Sequence, residues 1–101
     1  MSVDLTTVNQ FPHTRAISAT TNNTEILLPP RTRTVTIGTK TGECKFAFEG
    51  VDNGTPSANA VFVANYGYLG VKYGRGKDRP NAVYVAMQAG TGTILIILED
   101  E

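Results

Sequence analysis

Glycine and proline interrupt this sequence so often that a long helix has no room to form. Together they occupy fifteen positions, ten glycines and five prolines. The longest segment free of both, residues 13–28, is rich in Thr and Asn, which are weak helix formers. The chain is therefore expected to fold with almost no helix.

The segments between these interruptions show the two-residue period of half-buried strands. In 33–37, Thr34 and Thr36 alternate with Val35 and Ile37. Further candidate strands follow the same pattern or are short apolar runs rich in β-formers: 15–20, 25–28, 44–49, 60–64, 68–73, 82–88 and 93–99. About eight short strands predict an all-β fold, a single antiparallel β-sandwich that is jelly-roll-like or immunoglobulin-like. Residues 15–101 form this domain, and 1–14 form an N-terminal arm or a first strand.

Turn-forming residues predict where the strands are connected. Residues 38–42 begin and end with glycine, and we expect them to form a short hairpin connection. Residues 52–56 and 74–80 contain Gly and Pro and are expected to form two longer loops.

Charge and hydropathy limit the partners and the cellular location expected for the chain. Nine Lys and Arg balance nine Asp and Glu, so nonspecific attraction to nucleic acid or acidic membranes is not expected. The longest apolar run, 82–87, is far shorter than the roughly 18 to 20 residues of a membrane span. The N-terminus has neither the basic start nor the apolar stretch of a secretory signal. We expect no membrane partner and synthesis in the cytoplasm.

The residues available for catalysis are few. His13 is the one histidine and Cys44 the one cysteine. A Cys–His nucleophile is one hypothesis, but Cys44 alternates with Phe46 and Phe48 on a predicted core face, where a cysteine is an inert small hydrophobe. Transition-metal sites need more His or Cys ligands than the chain has. We therefore expect no enzymatic activity, no catalytic or metal-binding residues and no cofactor.

Two loop motifs resemble ligand sites only superficially. Asp52 and Asn53 have oxygen ligands suited to calcium, but the EF-hand spacing is missing and Asp-Asn-Gly is a turn signal. Residues 74–77 suggest a phosphate-binding loop, yet the P-loop spacing and the following helix are absent from the sequence pattern. Both segments are interpreted as turns or loops.

Aromatic and basic residues are mixed in 66–79. The candidate partner-contact residues are Tyr66, Tyr68, Tyr73, Arg75, Lys77 and Arg79. Rings that stack on bases and cations that hold phosphates would suit nucleic acid, whereas tyrosines also suit protein contacts and strands. Contact with a protein and a merely solvated loop are both favoured over nucleic acid.

The C-terminal strand breaks the usual alternation. In 93–98, Ile94, Ile96 and Leu98 face one way, and Leu95 and Ile97, also apolar, face the other. Each sheet of a two-layer sandwich has one outer face, so the second apolar face needs a cover. We expect Leu95 and Ile97 to lie at a contact in a homo-oligomer, and the alternative is that the N-terminal arm covers them.

The order ILLPPRTRTVTIGTK, then ECKFAFEG, a loop, and NAVYVAMQAGTGTILIILEDE resembles small all-β proteins of tailed bacteriophages. Those proteins serve as virion decoration, neck or tail components. The resemblance spans about residues 25–99 as strand order and turn placement, and it has no site motif to carry over. It implies a non-enzymatic structural protein that is made in the host cytoplasm and located in the virion, with capsid or tail proteins as further partners.

A second hypothesis belongs to a different functional class. Loops of β-sandwiches often carry ligand sites, and Tyr66 and Tyr68 are suited to stacking on a sugar. The alternative function is therefore a small ligand-binding module, with carbohydrate as the ligand class. The sequence contains no Trp, so the aromatic surface available for stacking on a sugar would be small.

Overall fold

The computed structural model describes residues 2–48, 60–72 and 81–100, and these contain nine strands and no helix. The strands are β1 (Ser2–Asp4), β2 (His13–Ala19), β3 (Thr24–Leu27), β4 (Thr34–Thr39), β5 (Cys44–Ala47), β6 (Val61–Val63), β7 (Tyr68–Lys72), β8 (Ala82–Met87) and β9 (Gly92–Glu99). They form a five-stranded sheet, β1-β3-β8-β5-β6, and a four-stranded sheet, β2-β9-β4-β7. The predicted all-β sandwich is confirmed.

Four antiparallel strand pairs are nested within one another along the chain. β5 pairs with β6, β4 with β7, β3 with β8 and β2 with β9. Two further pairings, β4 with β9 and β5 with β8, join these pairs into the two sheets. This nested, jelly-roll-like connectivity distinguishes between the two sandwich types that the sequence left open. β1 departs from the antiparallel prediction, because it runs parallel to β3.

The two sheets enclose the core through the inward positions that alternation predicts. Val35 and Ile37 of β4 are completely buried, whereas Thr34 and Thr36 face outward and remain partly exposed. The largest fully buried side chains come from both sheets: Phe46, Leu5, Ile26, Ile37, Met87, Ile94, Ile96 and Leu98.

Cys44 lies in this core, as its alternation with phenylalanine predicts. The side chain is completely buried, and Phe46 beside it is buried too. Phe48 is partly buried and packs edge to face against Phe46, with ring centroids 6.1 Å apart. Burial raises the pKa of the Cys44 thiol to about 11. The thiol is therefore protonated at neutral pH and has the environment of an inert core residue.

The connection after β4 is not the hairpin that its glycines predict. β4 lies in the four-stranded sheet, and β5, which begins at Cys44, lies in the five-stranded sheet. Both edges of β4 are already paired, with β7 and β9, so the chain crosses to the opposite sheet. Gly42 has a φ of 78° in this crossing, a conformation that glycine adopts without steric cost.

The N-terminal residues belong to the sandwich. β1 extends the five-stranded sheet, and Leu5 is buried in the core. Val8 and Phe11 pack against that core while the chain passes to the four-stranded sheet, where β2 begins at His13. The predicted loops at 52–56 and 74–80, with the calcium and phosphate motifs, lie outside the described residues. The part of the chain that the structure describes has no helix able to span a membrane.

Candidate binding site

The outer face of the four-stranded sheet places Leu95 in a row of small neighbours. Leu95 of β9 lies between Ala16 of β2 and Gly38 of β4. Gly38 in turn pairs with Tyr68 at the edge of the sheet. Gly38 has no side chain, and a Cβ there would lie 3.2 Å from the carbonyl oxygen of Gly67 and 3.3 Å from Cβ of Tyr68, so the backbone before β7 packs closely over this position.

Ile97 occupies the next row of the same face. It lies between Thr14 of β2 and Thr36 of β4, and Thr36 pairs with Gly70 of β7. Leu95 and Ile97 are both partly buried by these neighbours. The two apolar side chains therefore form the floor of a recess and do not project from the sheet.

The turn between β6 and β7 brings a second tyrosine to this recess. The N–H of Gly67 donates to the carbonyl of Ala64 at 2.8 Å, which closes the turn. Tyr66 within it has a φ of 62°, a left-handed conformation that is uncommon for a residue with a side chain. The hydroxyl of Thr39 accepts the N–H of Tyr66 at 3.0 Å and donates to the carbonyl of Ala64 at 3.1 Å. Thr39 thus fixes the turn, and strained positions of this kind are concentrated at functional sites.

These elements together form one depression, which we call the tyrosine groove. Its cavity volume is about 410 Å³. It is lined by Thr36, Gly38, Thr39, Tyr66, Gly67, Tyr68, Leu95 and Ile97. The two tyrosines are 76% and 79% exposed, the highest values among the large hydrophobic residues exposed in the described part of the chain. Two candidates predicted separately, the tyrosines and the second face of β9, therefore occupy the same site.

The lining of the tyrosine groove is mostly apolar, with a few hydroxyl groups. None of its lining residues is ionised, since they are Thr, Gly, Tyr, Leu and Ile. The polar atoms on its lining side chains are hydroxyl groups, which donate and accept single hydrogen bonds. This composition suits an apolar or aromatic surface better than a charged ligand.

The N-terminal segment does not pass over Leu95 and Ile97, and Thr14, the last residue of the predicted arm, lies beside Ile97 as its neighbour in β2. β1 pairs at the far edge of the five-stranded sheet, and no residue before Thr36 lines the tyrosine groove. Val3, Val8 and Phe11 instead pack against the core. The alternative that the arm provides the cover is therefore wrong, because the arm is used on the other side of the sandwich.

The remaining predicted contact residues fall elsewhere. Tyr73, Arg75, Lys77 and Arg79 lie outside the described residues, so the proposed mixture of tyrosines and cations has no described geometry. Lys72, which precedes them, is exposed at the end of β7.

His13 and Cys44 do not form a catalytic pair. Cys44 is completely buried in the five-stranded sheet, and His13 begins β2 in the other sheet. Nε2 of His13 is buried and has no hydrogen-bond partner. Within the described ranges, no group of three or more His, Cys, Asp or Glu side chains is arranged to hold a metal ion.

The outer face of the five-stranded sheet differs from that of the four-stranded sheet. Tyr84 donates its hydroxyl to Oε2 of Glu25 at 2.9 Å. This hydrogen bond, with smaller contributions from burial and the Glu25 charge, raises the pKa of Tyr84. Nζ of Lys45 lies 5.7 Å from the ring centroid of Phe62. Tyr84, Glu25 and Lys45 on this face thus have partners within the chain.

Sequence reasoning missed the residues that shape the tyrosine groove. The sequence places Thr39 in a predicted hairpin turn, yet its hydroxyl holds the turn between β6 and β7 through Ala64 and Tyr66. Oδ1 of Asn65 accepts the N–H of Gly42 at 2.9 Å and links that turn to the β4–β5 crossing. Gly38 offered one signal, because a glycine within a strand pattern often marks a place where other groups approach closely.

Comparisons of the chain with protein-family models, with curated proteins and with solved structures give no match. The functional argument therefore depends on the site itself.

Proposed function

We propose that this chain is a non-enzymatic structural protein that assembles through protein–protein contacts made by the tyrosine groove. The observation that carries the proposal is the convergence of Tyr66, Tyr68, Leu95 and Ile97 on one uncharged surface. Tyrosine is enriched in protein interfaces, where its ring provides contact area and its hydroxyl finds a partner.

The energetics favour a macromolecular contact. Full burial of a Leu or Ile side chain contributes about 1.5 to 3 kcal/mol, and part of this gain is still available at Leu95 and Ile97. The exposed rings of Tyr66 and Tyr68 add further area. Identical subunits would repeat the gain at each contact, which favours closed symmetric association.

We further propose that the assembly is a bacteriophage virion, with the chain as a capsid decoration, neck or tail component. Jelly-roll connectivity recurs in viral capsid proteins, which supports this class by analogy of fold. The chain would then be made in the host cytoplasm and bind other copies of itself or capsid and tail proteins. Genes for a portal, capsid or tail protein beside its own gene would support the virion assignment, and neighbours of an unrelated pathway would oppose it.

Light scattering coupled to size-exclusion chromatography tests the contact. Wild-type protein should elute as an oligomer, and Leu95→Glu should elute as a smaller folded species or become insoluble. Ser18→Glu is a matched control, because Ser18 is exposed on the same outer face but does not line the tyrosine groove. A wild-type monomer at high micromolar concentration, together with a soluble and folded Leu95→Glu variant, would overturn self-association.

A specific observation also supports a second candidate function. Tyr66 and Tyr68 flank a groove of a size that suits a small ligand, and sugars stack on exposed aromatic rings. Under this alternative the chain is a carbohydrate-binding module. Binding on a glycan array that disappears in Tyr66→Ala and Tyr68→Ala, and persists in Ser18→Glu, would favour it over the structural role.

A further inference from the structure

The sheet edges in the described part of the chain differ in how they are protected from pairing with another strand. β1 and β6, at the edges of the five-stranded sheet, have three residues each, and short edge strands pair weakly. β2, at one edge of the four-stranded sheet, places Arg15 opposite the inward residue Ile96. An inward-pointing charge on an edge strand disfavours pairing with a further strand.

β7, at the other edge of the four-stranded sheet, is longer than β1 and β6 and has no inward-pointing charge, since its one charged residue, Lys72, lies on the outer face. It has five residues, and its inward positions are the uncharged Leu69 and Val71. Leu69 is 39% exposed even though it faces inward. Among the described edges, β7 is therefore the one best suited to accept another strand.

The backbone groups on the free edge of β7 follow from its pairing with β4. The N–H of Thr39 donates to the carbonyl of Gly67 at 3.1 Å, which identifies a hydrogen-bonded pair of the ladder. Such pairs alternate along antiparallel strands, so Leu69 and Val71 also direct their N–H and C=O groups toward β4. No strand of the described residues pairs with the other edge of β7, which carries the N–H and C=O groups of Tyr68, Gly70 and Lys72.

We propose that β7 pairs antiparallel with β7 of a second copy of the chain, about a two-fold axis at Gly70. The two four-stranded sheets then become one continuous eight-stranded sheet. This inference rests on the proposed structural function and deepens it, because it adds a second contact, between two copies of the chain, that is made by β7 and not by the tyrosine groove.

The sequence of β7 is complementary to itself in this register. Gly70 lies opposite the partner's Gly70, and Tyr68 lies opposite the partner's Lys72. All of these are hydrogen-bonded positions, so each pair exchanges two backbone hydrogen bonds. On the outer face the Lys72 ammonium meets a tyrosine ring, a favourable cation–π arrangement. On the inner face Leu69 meets the partner's Val71, an aliphatic pair.

Charge also selects this register among the alternatives. A shift that sets Lys72 opposite the partner's Lys72 places like charges directly across the ladder, which is destabilising. A self-paired β2 edge with its two-fold axis at Ala16 would instead place Arg15 opposite an aliphatic inward residue, Ile17. In the β7 pairing centred on Gly70, by contrast, like charges do not meet and the aliphatic Leu69 and Val71 lie opposite each other.

The paired sheet would present both tyrosine grooves on one surface. The Ile97 row continues through Thr36 and Gly70 into the same small residues of the second copy. The floor between the two grooves is then shallow, and a further virion protein could contact both. The second copy would thus add its own tyrosine groove and double the contact surface that a single chain offers.

Disulfide cross-linking at the proposed axis tests the pairing. Cα atoms of a hydrogen-bonded antiparallel pair lie about 5.5 Å apart, within the range of disulfides. Under oxidised glutathione, Gly70→Cys should form a cross-linked dimer at least about tenfold faster than Ser18→Cys at the same concentration. The wild-type chain controls for Cys44, which is buried and should not react. A rate no faster than that of Ser18→Cys would overturn the pairing.

A second variant avoids crowding at Gly70, where a Cβ would lie 3.1 Å from Oγ1 of Thr36. Lys72→Pro removes a free-edge N–H, which a terminal edge strand tolerates. The dimer dissociation constant from sedimentation should rise at least about tenfold, from the lost hydrogen bonds and cation–π contacts. Lys72→Ala should have a smaller effect, and Lys40→Ala, at an exposed lysine outside β7, should have none. An unchanged constant in a folded Lys72→Pro variant would overturn the pairing.

The outcomes separate this inference from the proposed function. If Leu95→Glu disrupts the oligomer and Gly70→Cys does not cross-link, the edge pairing is wrong and the groove contact stands. If Gly70→Cys cross-links and Leu95→Glu changes neither the cross-linking nor the assembly, the edge pairing stands and the groove contact is wrong. A monomer that shows neither effect overturns both.

Discussion

The two faces of β9 have nearly the same composition and different surroundings. Ile94, Ile96 and Leu98 face the opposite sheet and are completely buried. Leu95 and Ile97 face outward and are only partly buried by neighbours of their own sheet. The comparison teaches that hydrophobicity alone does not separate a core position from a contact position. What separates them is whether a second layer of the same chain lies above the residue.

The largest expected effect tests this difference on adjacent residues. Ile96→Ala should lower the free energy of unfolding by about 3 kcal/mol, because it leaves a cavity between the sheets. Ile97→Ala should lower it by about 1 kcal/mol or less, since its outer face is already in contact with solvent. Urea denaturation of the two variants, measured at a concentration where the wild type is monomeric, gives both values. Equal losses would show that Ile97 is a core residue and would remove the basis of the comparison.

The second effect tests how completely the inner face is sealed. The native thiol of Cys44 has its pKa raised to about 11, from an ordinary value near 9. Between these values the unfolded chain loses the proton while the native chain keeps it, so the free energy of unfolding should fall as pH rises. The loss should approach about 2 kcal/mol by pH 11.

Cys44→Ala is the control for this pH dependence. It should reduce the fall in stability above pH 9, and the part that remains should include Tyr84, whose pKa is also raised. Urea titrations at pH 8 and pH 10.5 measure both chains. Identical slopes against pH, or a thiol that reacts equally fast in native and unfolded protein, would contradict a sealed core.

A smaller effect sharpens the contrast between the two outer faces. Tyr84→Phe should lower the free energy of unfolding by about 0.5 to 1 kcal/mol, because it removes the hydrogen bond to Glu25. It should leave the oligomeric state unchanged, since Tyr84 lies on the five-stranded sheet. Thermal unfolding and light scattering test both statements. A change in oligomeric state would show that subunits contact each other through the five-stranded sheet, which would contradict the proposed function.

The smallest effect concerns the end of β9. Arg31 Nη2 lies 2.6 Å from Oδ2 of Asp100, and its guanidinium lies 5.6 Å from the ring centroid of Phe11. The Arg31 side chain is 66% exposed, so Arg31→Ala should cost about 0.5 kcal/mol or less. The difference from the wild type should shrink further at high salt. A loss above about 1 kcal/mol at high salt would show that Arg31 acts through packing.

Much of the fold was predictable because it depends on local pattern. The alternation of 34–37 and of 44–46 identifies which side chains enter the core, and Cys44 follows from it, although Ala47, at an outward position, is buried as well. Side-chain direction in a strand has a period of two whatever the strand pairs with, so these assignments needed no knowledge of neighbours. The frequent glycines and prolines likewise exclude helix through local conformational preferences.

The candidate site was predictable only in pieces. The sequence indicates Tyr66 and Tyr68 as candidate contact residues, and Leu95 and Ile97 as a second apolar face of β9. Their convergence depends on β4 lying between β7 and β9, a pairing of strands distant in sequence. Nothing in the local pattern specifies that order.

The sequence by itself thus determined the strand content, the inward residues and the doubly apolar character of β9, because each follows from neighbouring residues in the chain. The tertiary structure decided the crossing of 38–42 to the opposite sheet and the parallel pairing of β1. It also decided the role of Thr39, whose hydroxyl bonds a turn 25 residues away. These features depend on which strands become neighbours, and that choice is made by the packing of the whole sandwich.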